Sequence, residues 1–137
     1  RTQIITCAPD TLVEEAARLL RQEKIGCLPV VTESGELAGI VTHEDLLDFF
    51  LEITGCLMRD TARIAVHLPD TIGQLGKLLA AINDAGGYIA TVVSPPHPDQ
   101  TGLRVAVVRY RAADPRALNQ RLRELGYELL AETPPSG

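Results

Sequence analysis

The pattern of hydrophobic and polar positions predicts two successive runs of helices and strands. In the first run, short apolar stretches predict strands, and apolar residues at helical spacing predict amphipathic helices. The predicted elements are a strand at 3–6, a helix from Thr11 to Lys24, strands at 27–31 and 37–41, and a helix from Thr42 to Gly55. Their order is β-α-β-β-α, in a unit of roughly fifty residues that buries its core only marginally by itself.

The last helix of this run is apolar over most of its circumference. Its apolar residues are Leu46, Leu47, Phe49, Phe50, Leu51 and Ile53. A helix that is hydrophobic on nearly all sides is either buried or makes an interface. We therefore expect a second copy of the unit to pack against it.

The second run has one strand more than the first. It consists of strands at 63–68, 88–93, 103–110 and 127–132, with one helix ending at Gly86-Gly87 and one ending at Gly126. Ile72 and Leu125 are predicted to face the core. The order βαββαβ is that of a ferredoxin-like domain, so the predicted fold class is α+β. We place domains at 1–55 and 63–132, a linker at 56–62 and a tail at 133–137.

Three of the predicted helices begin with a threonine followed three residues later by Glu, Asp or Gln. The pairs are Thr11 with Glu14, Thr42 with Asp45, and Thr71 with Gln74. Each pair is typical of a capping box, in which the side chains of the two residues bond each other's backbone amides. Such a cap stabilises a helix by about 1 kcal/mol and needs no ligand. At Thr42 the same groups also suit a sugar and its phosphate, so both interpretations stay open.

Composition and charge exclude several classes of function. The chain has 45% hydrophobic and 23% charged residues and a net charge of −5, without a basic cluster, so nucleic acid is not expected as a partner. Three cysteines without C-x-x-C or His-x-x-x-His spacing indicate reduced thiols in a cytoplasmic protein and no metal site. No apolar run approaches the ~18 residues of a membrane span. Because the chain opens at Arg1 inside a predicted strand, we interpret it as part of a longer protein.

Residues 11–50 resemble a CBS motif. The resemblance lies in Cys27-Leu28-Pro29-Val30-Val31 and in Gly39-Ile40-Val41-Thr42-His43-Glu44-Asp45. It implies one half of a CBS pair that binds an adenosyl ligand such as AMP, ADP, ATP or S-adenosylmethionine. By the resemblance, Thr42 and Asp45 hold the ribose and phosphates. No Lys or Arg adjoins Thr42, so a polyphosphate would need positive charge from Lys24 or the partner motif. The residues implied to line the base are Ile5, Thr6, Cys27, Leu28 and Pro29.

Residues 63–132 look like an ACT domain. The matching residues are Asp70-x-x-Gly73-x-Leu75 and Gly86-Gly87-Tyr88-Ile89, with Thr71-Ile72 where the family usually has Arg-Pro. The resemblance implies an amino-acid site at Asp70, Ile72, Gly73 and Leu75, completed by Ile89 of a neighbouring chain. The alternative is that Asp70 and Thr71 only cap the helix. A CBS motif followed by an ACT domain is similar to the AcuB-like acetoin-utilisation proteins, which carry two CBS motifs before the ACT domain.

These features predict a non-catalytic regulatory sensor whose ligands are coupled to its oligomeric state. We expect a homodimer or higher homo-oligomer that assembles through the CBS helices and the ACT edge strands. One alternative is an oligomerisation scaffold that binds no ligand. A more remote alternative is a small enzyme that uses Cys27 or Cys56 with a histidine. We expect no catalytic residues, because the sequence contains no nucleophile elbow, paired-carboxylate site or cofactor loop.

Overall fold

The computed structural model describes residues 4–96 and 101–136, and it confirms the predicted α+β class. These residues form two compact units, one extending to Glu52 and one beginning at Ile53. The elements in chain order are α1 (Val13–Glu23), β1 (Cys27–Val31), β2 (Leu37–Thr42), α2 (His43–Thr54), β3 (Ala62–Pro69), α3 (Gln74–Asp84), β4 (Tyr88–Val93), β5 (Leu103–Arg111), α4 (Pro115–Glu124) and β6 (Glu128–Thr133).

The first unit is built on the antiparallel hairpin of β1 and β2. Cys27 at the start of β1 lies opposite Thr42 at the end of β2, and a turn with Gly35 in the left-handed region joins the strands. Leu28 is fully buried in a small core with Ala16 and Leu20 of α1. The hairpin therefore brings the two halves of the CBS-like sequence together.

The strand predicted at 3–6 is wrong for its described residues, since Ile4 to Thr6 form no strand. Only Cys7 bridges β1, with its amide donating to the Pro29 carbonyl at 3.0 Å and its carbonyl accepting from the Val31 amide at 2.8 Å. Continuing this parallel ladder requires a donor at residue 29, and proline has none. Pro29 of β1 therefore ends the pairing between β1 and the residues before Cys7. Gln3 lies outside the described residues.

The capping box predicted at Thr11 is also wrong. The Thr11 hydroxyl accepts from the Ala8 amide at 2.9 Å, and the Thr11 amide donates back to the Ala8 carbonyl at 3.1 Å. Because the hydroxyl closes this turn, Leu12 becomes the N-cap and makes no side-chain cap bond.

Helix α2 contains no buried residue, although it is strongly apolar. Leu47 is 63% exposed and Phe50 is 59% exposed. These side chains leave an apolar surface on the first unit.

The second unit is a four-stranded antiparallel sheet in the order β4-β5-β3-β6, which is the ferredoxin-like order. Alternate residues of β3 and β5 face α3 and α4 and form the core with them. The fully or nearly fully buried members are Ala62, Ile64, Val66, Leu68, Leu78, Ile82, Ala106, Val108, Tyr110, Leu118 and Leu122.

Two features of the helices in this unit differ from the prediction. Gly73, with φ +86°, is the N-cap of α3, so Thr71 and Gln74 form no capping box and Ile72 lies outside the helix, fully exposed. Leu125 follows the last residue of α4 and is 48% exposed rather than facing the core. Asp114 caps α4, because its carboxylate accepts from the Ala117 amide at 3.1 Å.

The ends of this unit also extend further than the sequence indicates. Ala62, placed in the linker, is the first residue of β3 and is buried beside Thr61. Thr133, placed in the tail, pairs with Arg63 as the last residue of β6. Sheet pairing rather than local polarity decides both boundaries.

A buried polar network links β5, α4 and β6. The Tyr110 hydroxyl donates to Asn119 Oδ1, and Asn119 Nδ2 donates to Glu132 Oε1 at 2.8 Å. Arg123 donates to the other Glu132 oxygen, and this bond lowers the pKa of the Glu132 carboxyl. Burial, followed by the negative charge of Glu132, raises the pKa of Tyr110 to about 12. The network provides hydrogen-bond partners for polar groups that would otherwise be buried and unsatisfied between the sheet and the helix.

Tyr110→Phe should change how stability depends on alkaline pH. Since the folded-state pKa of Tyr110 lies above its unfolded value, its stabilising effect is complete below pH ~10 and is lost as pH rises to ~12, a fall of about 2 to 3 kcal/mol. Urea unfolding from pH 9 to 12 should show this fall in the parent chain and a smaller one in Tyr110→Phe. If the stability of the two proteins fell equally between pH 9 and 12, the assignment of the fall to Tyr110 would be contradicted.

Gly87→Ala should destabilise the second unit by about 1 to 3 kcal/mol. A Cβ at Gly87 would lie 2.7 Å from Ile82 Cγ2 and 2.9 Å from Leu118 Cδ1, both in the core. Gly76→Ala is the matched control, because nothing lies within 4 Å of its Cβ position inside α3, and it should stabilise by about 0.5 to 1 kcal/mol. Urea unfolding measures both changes, and effects of the same sign would refute this packing account.

Candidate functional site

The capping box between Thr42 and Asp45 is confirmed by the structure. Asp45 Oδ2 accepts from the Thr42 amide at 2.8 Å and from the Thr42 hydroxyl at 3.0 Å. The Asp45 amide donates to Thr42 Oγ1 at 3.3 Å. These three bonds hold the carboxylate in one orientation where β2 ends and α2 begins.

The cap uses only one of the two oxygens of Asp45. Among residues 4–96 and 101–136, Asp45 Oδ1 has no hydrogen-bond partner, and the residue is exposed. An ionised carboxylate oxygen of this kind accepts strong bonds from hydroxyl groups. The site can therefore bind a hydroxylated ligand without giving up the helix cap.

The hairpin brings several of the other predicted residues close to this cap. Cys27 lies directly opposite Thr42 and is exposed, while Pro29 is half-buried two residues further along β1. The chain at Thr6 enters beside Pro29, because the next residue, Cys7, bonds the Pro29 carbonyl. Thr6, Cys27 and Pro29 thus surround the end of the hairpin where Thr42 lies.

Leu28 and Ile5 differ from this group. The Leu28 side chain is completely buried, since the alternation of β1 turns it toward α1, so only its backbone can face a ligand. Ile5 is half-buried and packs against the same core. The prediction that Leu28 lines the base can therefore apply only to its backbone.

A groove of about 470 Å³ lies between the helices of the first unit. Asp45 lines it together with Asp48 and Glu52, which the sequence reasoning missed although their spacing of three and four residues places them on one face of α2. Apolar residues form most of the remaining wall, and no Lys or Arg lines it. The first 52 residues contain ten acidic and four basic side chains, so the unit as a whole is acidic.

The predicted amino-acid site is organised differently from the resemblance. Arg104 Nη1 lies 3.7 Å from Asp70 Oδ1, so a guanidinium already offsets the charge of that carboxylate. Gly73 has open space at its Cβ position, and Leu75 is half-buried against the core. The Ile72 side chain is fully exposed.

Ile89 lies at the opposite end of the sheet from Asp70. Ile89 pairs with Tyr110, which pairs with Ala62, whereas Asp70 follows the other end of β3. The two ends of β3 are seven residues apart, or about 23 Å. One copy of the chain therefore does not join Ile89 to the other four residues.

The first unit thus has the element order α1-β1-β2-α2 and the Thr-x-x-Asp corner that the resemblance emphasised. Residues 1–52 match the family model described as CBS domain. The match covers the first unit and leaves the second unit without a family assignment.

Individual relatives match over 41 to 70 residues of the chain. The CBS domain-containing protein YhcV of Bacillus subtilis is 42% identical over 45 residues, which are 33% of this chain and 31% of that protein. A CBS domain-containing protein of Dictyostelium discoideum is 46% identical over 41 residues, 30% of this chain and 28% of that protein. The inosine-5'-monophosphate dehydrogenase of Korarchaeum cryptofilum is 48% identical over 70 residues, 51% of this chain and 13% of that protein. The chain thus spans less than a third of each relative.

Two structural features are absent from the described part of the chain. No helix there is long and apolar enough to span a membrane. No group of three or more His, Cys, Asp or Glu side chains there is arranged to hold a metal ion.

Asp45→Ala should loosen the first turn of α2. Loss of a capping partner costs about 1 kcal/mol, which corresponds to roughly fivefold faster opening of the first-turn amides. Hydrogen exchange of the α2 amides measures this change. Asp48→Ala removes the same charge from the same helix but no capping bond, and should leave the first-turn rates nearly unchanged. Equal acceleration in the two variants would show that charge, not the cap, controls the turn.

Proposed function

We propose that this chain is a non-catalytic regulatory module whose CBS half binds an adenosyl ligand at Thr42 and Asp45. The observation that carries the proposal is the Asp45 carboxylate, held through Oδ2 while Oδ1 stays open beside the exposed end of the hairpin. The two vicinal hydroxyls of a ribose are suitable donors to such an oxygen. The CBS family match over residues 1–52 supports the same assignment.

The charge of the first unit favours adenosyl ligands with few phosphates. The nearby groove contains Asp45, Asp48 and Glu52 and no basic side chain, so a polyphosphate would meet repulsion. Lys24, the C-cap of α1, is a basic residue three positions before Cys27, which pairs with Thr42. AMP or the cationic S-adenosylmethionine therefore fits better than ATP, unless a partner motif brings further positive charge.

We further propose that the module works as a homodimer or higher oligomer. The exposed Leu47 and Phe50 on α2 support a partner on the CBS half, because apolar surface of this kind favours association. On the second unit, the resemblance to an ACT domain and the ferredoxin-like strand order support assembly through the edge strands β4 and β6. Since Ile89 and Asp70 lie at opposite ends of the sheet, an amino-acid site using both requires two copies.

The alternative is a scaffold that oligomerises without a ligand. The completeness of the Thr42–Asp45 cap favours it, because the cap alone explains both residues. In either case the combination of CBS and ACT domains would place the chain near the AcuB-like acetoin-utilisation proteins.

A binding experiment separates these functions. Thermal unfolding and calorimetry with AMP, ADP, ATP, S-adenosylmethionine and amino acids should reveal one adenosyl ligand that raises the melting temperature. Asp45→Asn keeps an oxygen for the cap but replaces the open acceptor by an amide, so it should weaken that ligand at least tenfold, about 1.4 kcal/mol.

Glu33→Gln is the matched control, since it removes one charge at the hairpin turn, at the far end from Thr42. It should leave the dissociation constant within twofold of the parent value. If no adenosyl ligand raises the melting temperature, the scaffold is favoured. If both variants weaken the ligand equally, it does not bind at the Asp45 carboxylate.

A further inference from the structure

The face of the four-stranded sheet that α3 and α4 leave uncovered contains a row of hydrogen-bond donors. In register across the sheet stand Thr91 of β4, Arg109 of β5, Arg63 of β3 and Thr133 of β6. Directly opposite residues of antiparallel strands project from the same face. Ile64 and Val108, the neighbours of the two arginines, are buried on the helix side, so the arginines point the other way.

The centre of this donor row places two positive charges next to each other. Cβ atoms of directly opposite residues are about 4.5 to 5.5 Å apart, and like charges at that separation destabilise a sheet. Both arginines are only half-exposed, which reduces the solvation that would screen them. The arrangement therefore calls for a negative partner.

In the part of the chain that the structure describes, only one of the two guanidinium groups has a hydrogen-bond acceptor. Arg109 Nε donates to the Thr54 carbonyl at 2.8 Å, and Thr91 Oγ1 donates to the same oxygen at 3.3 Å. Within the described residues, Arg63 makes no ion pair and no side-chain hydrogen bond. Asp60, three residues before Arg63 in sequence, is bound to Arg111 at 2.6 Å. Glu132 of β6 is engaged on the opposite face with Asn119 and Arg123.

We propose that the Arg63 end of the donor row, where Arg63 stands between Arg109 and Thr133, is a binding site for a small oxyanion, a carboxylate or phosphate group of a metabolite. Guanidinium groups bind such anions through two parallel N–H bonds, and two neighbouring guanidiniums present several donors to one anion. The hydroxyl of Thr133 lies at the open end of the row beside Arg63 and adds a neutral donor. This site is separate from the Thr42–Asp45 corner and does not depend on an adenosyl ligand.

The test uses the whole chain with inorganic phosphate and with citrate, each at constant ionic strength maintained by sodium chloride. An anion at ten times its dissociation constant should raise the melting temperature by roughly 5 to 10 °C. Arg63→Gln should weaken the anion at least tenfold by calorimetry. Arg121→Gln, an exposed arginine of α4 on the helix side of the same unit, should leave binding within twofold.

The stability of Arg63→Gln in chloride alone provides a second readout. Removal of one of two opposed charges should leave the melting temperature unchanged or raise it. A fall of several degrees would show that Arg63 supports the fold by itself and would overturn the proposal. Equal loss of anion binding in Arg63→Gln and Arg121→Gln would also overturn it. The same holds if phosphate and citrate raise the melting temperature no more than chloride does. A response to phosphate without citrate, or the reverse, identifies which oxyanion the row takes.

Discussion

The antiparallel pairing of β3 with β5 is the constraint on which most of the second unit depends. Eight residue pairs, from Ala62 with Tyr110 to Pro69 with Leu103, set which side chains face the helices. A slip of one residue would turn Ile64, Val66 and Leu68 outward and bring arginine into the core. The same register creates the hydrophobic core, positions Tyr110 beside Asn119 and aligns the two arginines on the uncovered face. Core and surface chemistry are thus consequences of one alignment.

In the first unit, one pair of side chains combines a structural and a candidate binding role. Thr42 and Asp45 satisfy each other's amides, which holds the carboxylate in place before any ligand arrives. A preorganised acceptor loses little conformational entropy on binding. Because the cap leaves Oδ1 open, the two roles are compatible in the same residue. Stability of α2 and affinity for a hydroxylated ligand can then be changed separately, which is the purpose of Asp45→Asn.

Features of both units favour association with a second copy. Helix α2 exposes Leu47 and Phe50 although its composition is that of an interface helix. The ACT-like residues Asp70 and Ile89 stand at opposite ends of one sheet. Small domains bury too little apolar surface to be very stable alone, so the proposed association would serve stability as well as binding. An oligomer whose contacts form part of its ligand sites can couple occupancy to assembly.

Apart from the strand expected at 3–6, the sequence by itself determined the order of the elements, the α+β class and the Thr42–Asp45 corner, since these follow from local periodicity and a three-residue spacing. It did not determine which of the three threonines followed three residues later by Glu, Asp or Gln caps a helix. Thr71 matches the same pattern, but the left-handed turn at Gly73 moves the start of α3 past it. Thr11 instead bonds Ala8.

Only the tertiary structure decided the features that depend on neighbouring strands. Pro29 of β1 prevents the N-terminal strand from pairing, although nothing in residues 3–6 indicates it. Strand alternation buries Leu28 and excludes its side chain from the site that its motif suggested. The row from Thr91 to Thr133 joins residues as many as seventy positions apart in sequence. Their proximity depends on sheet register, a long-range property that no local spacing encodes.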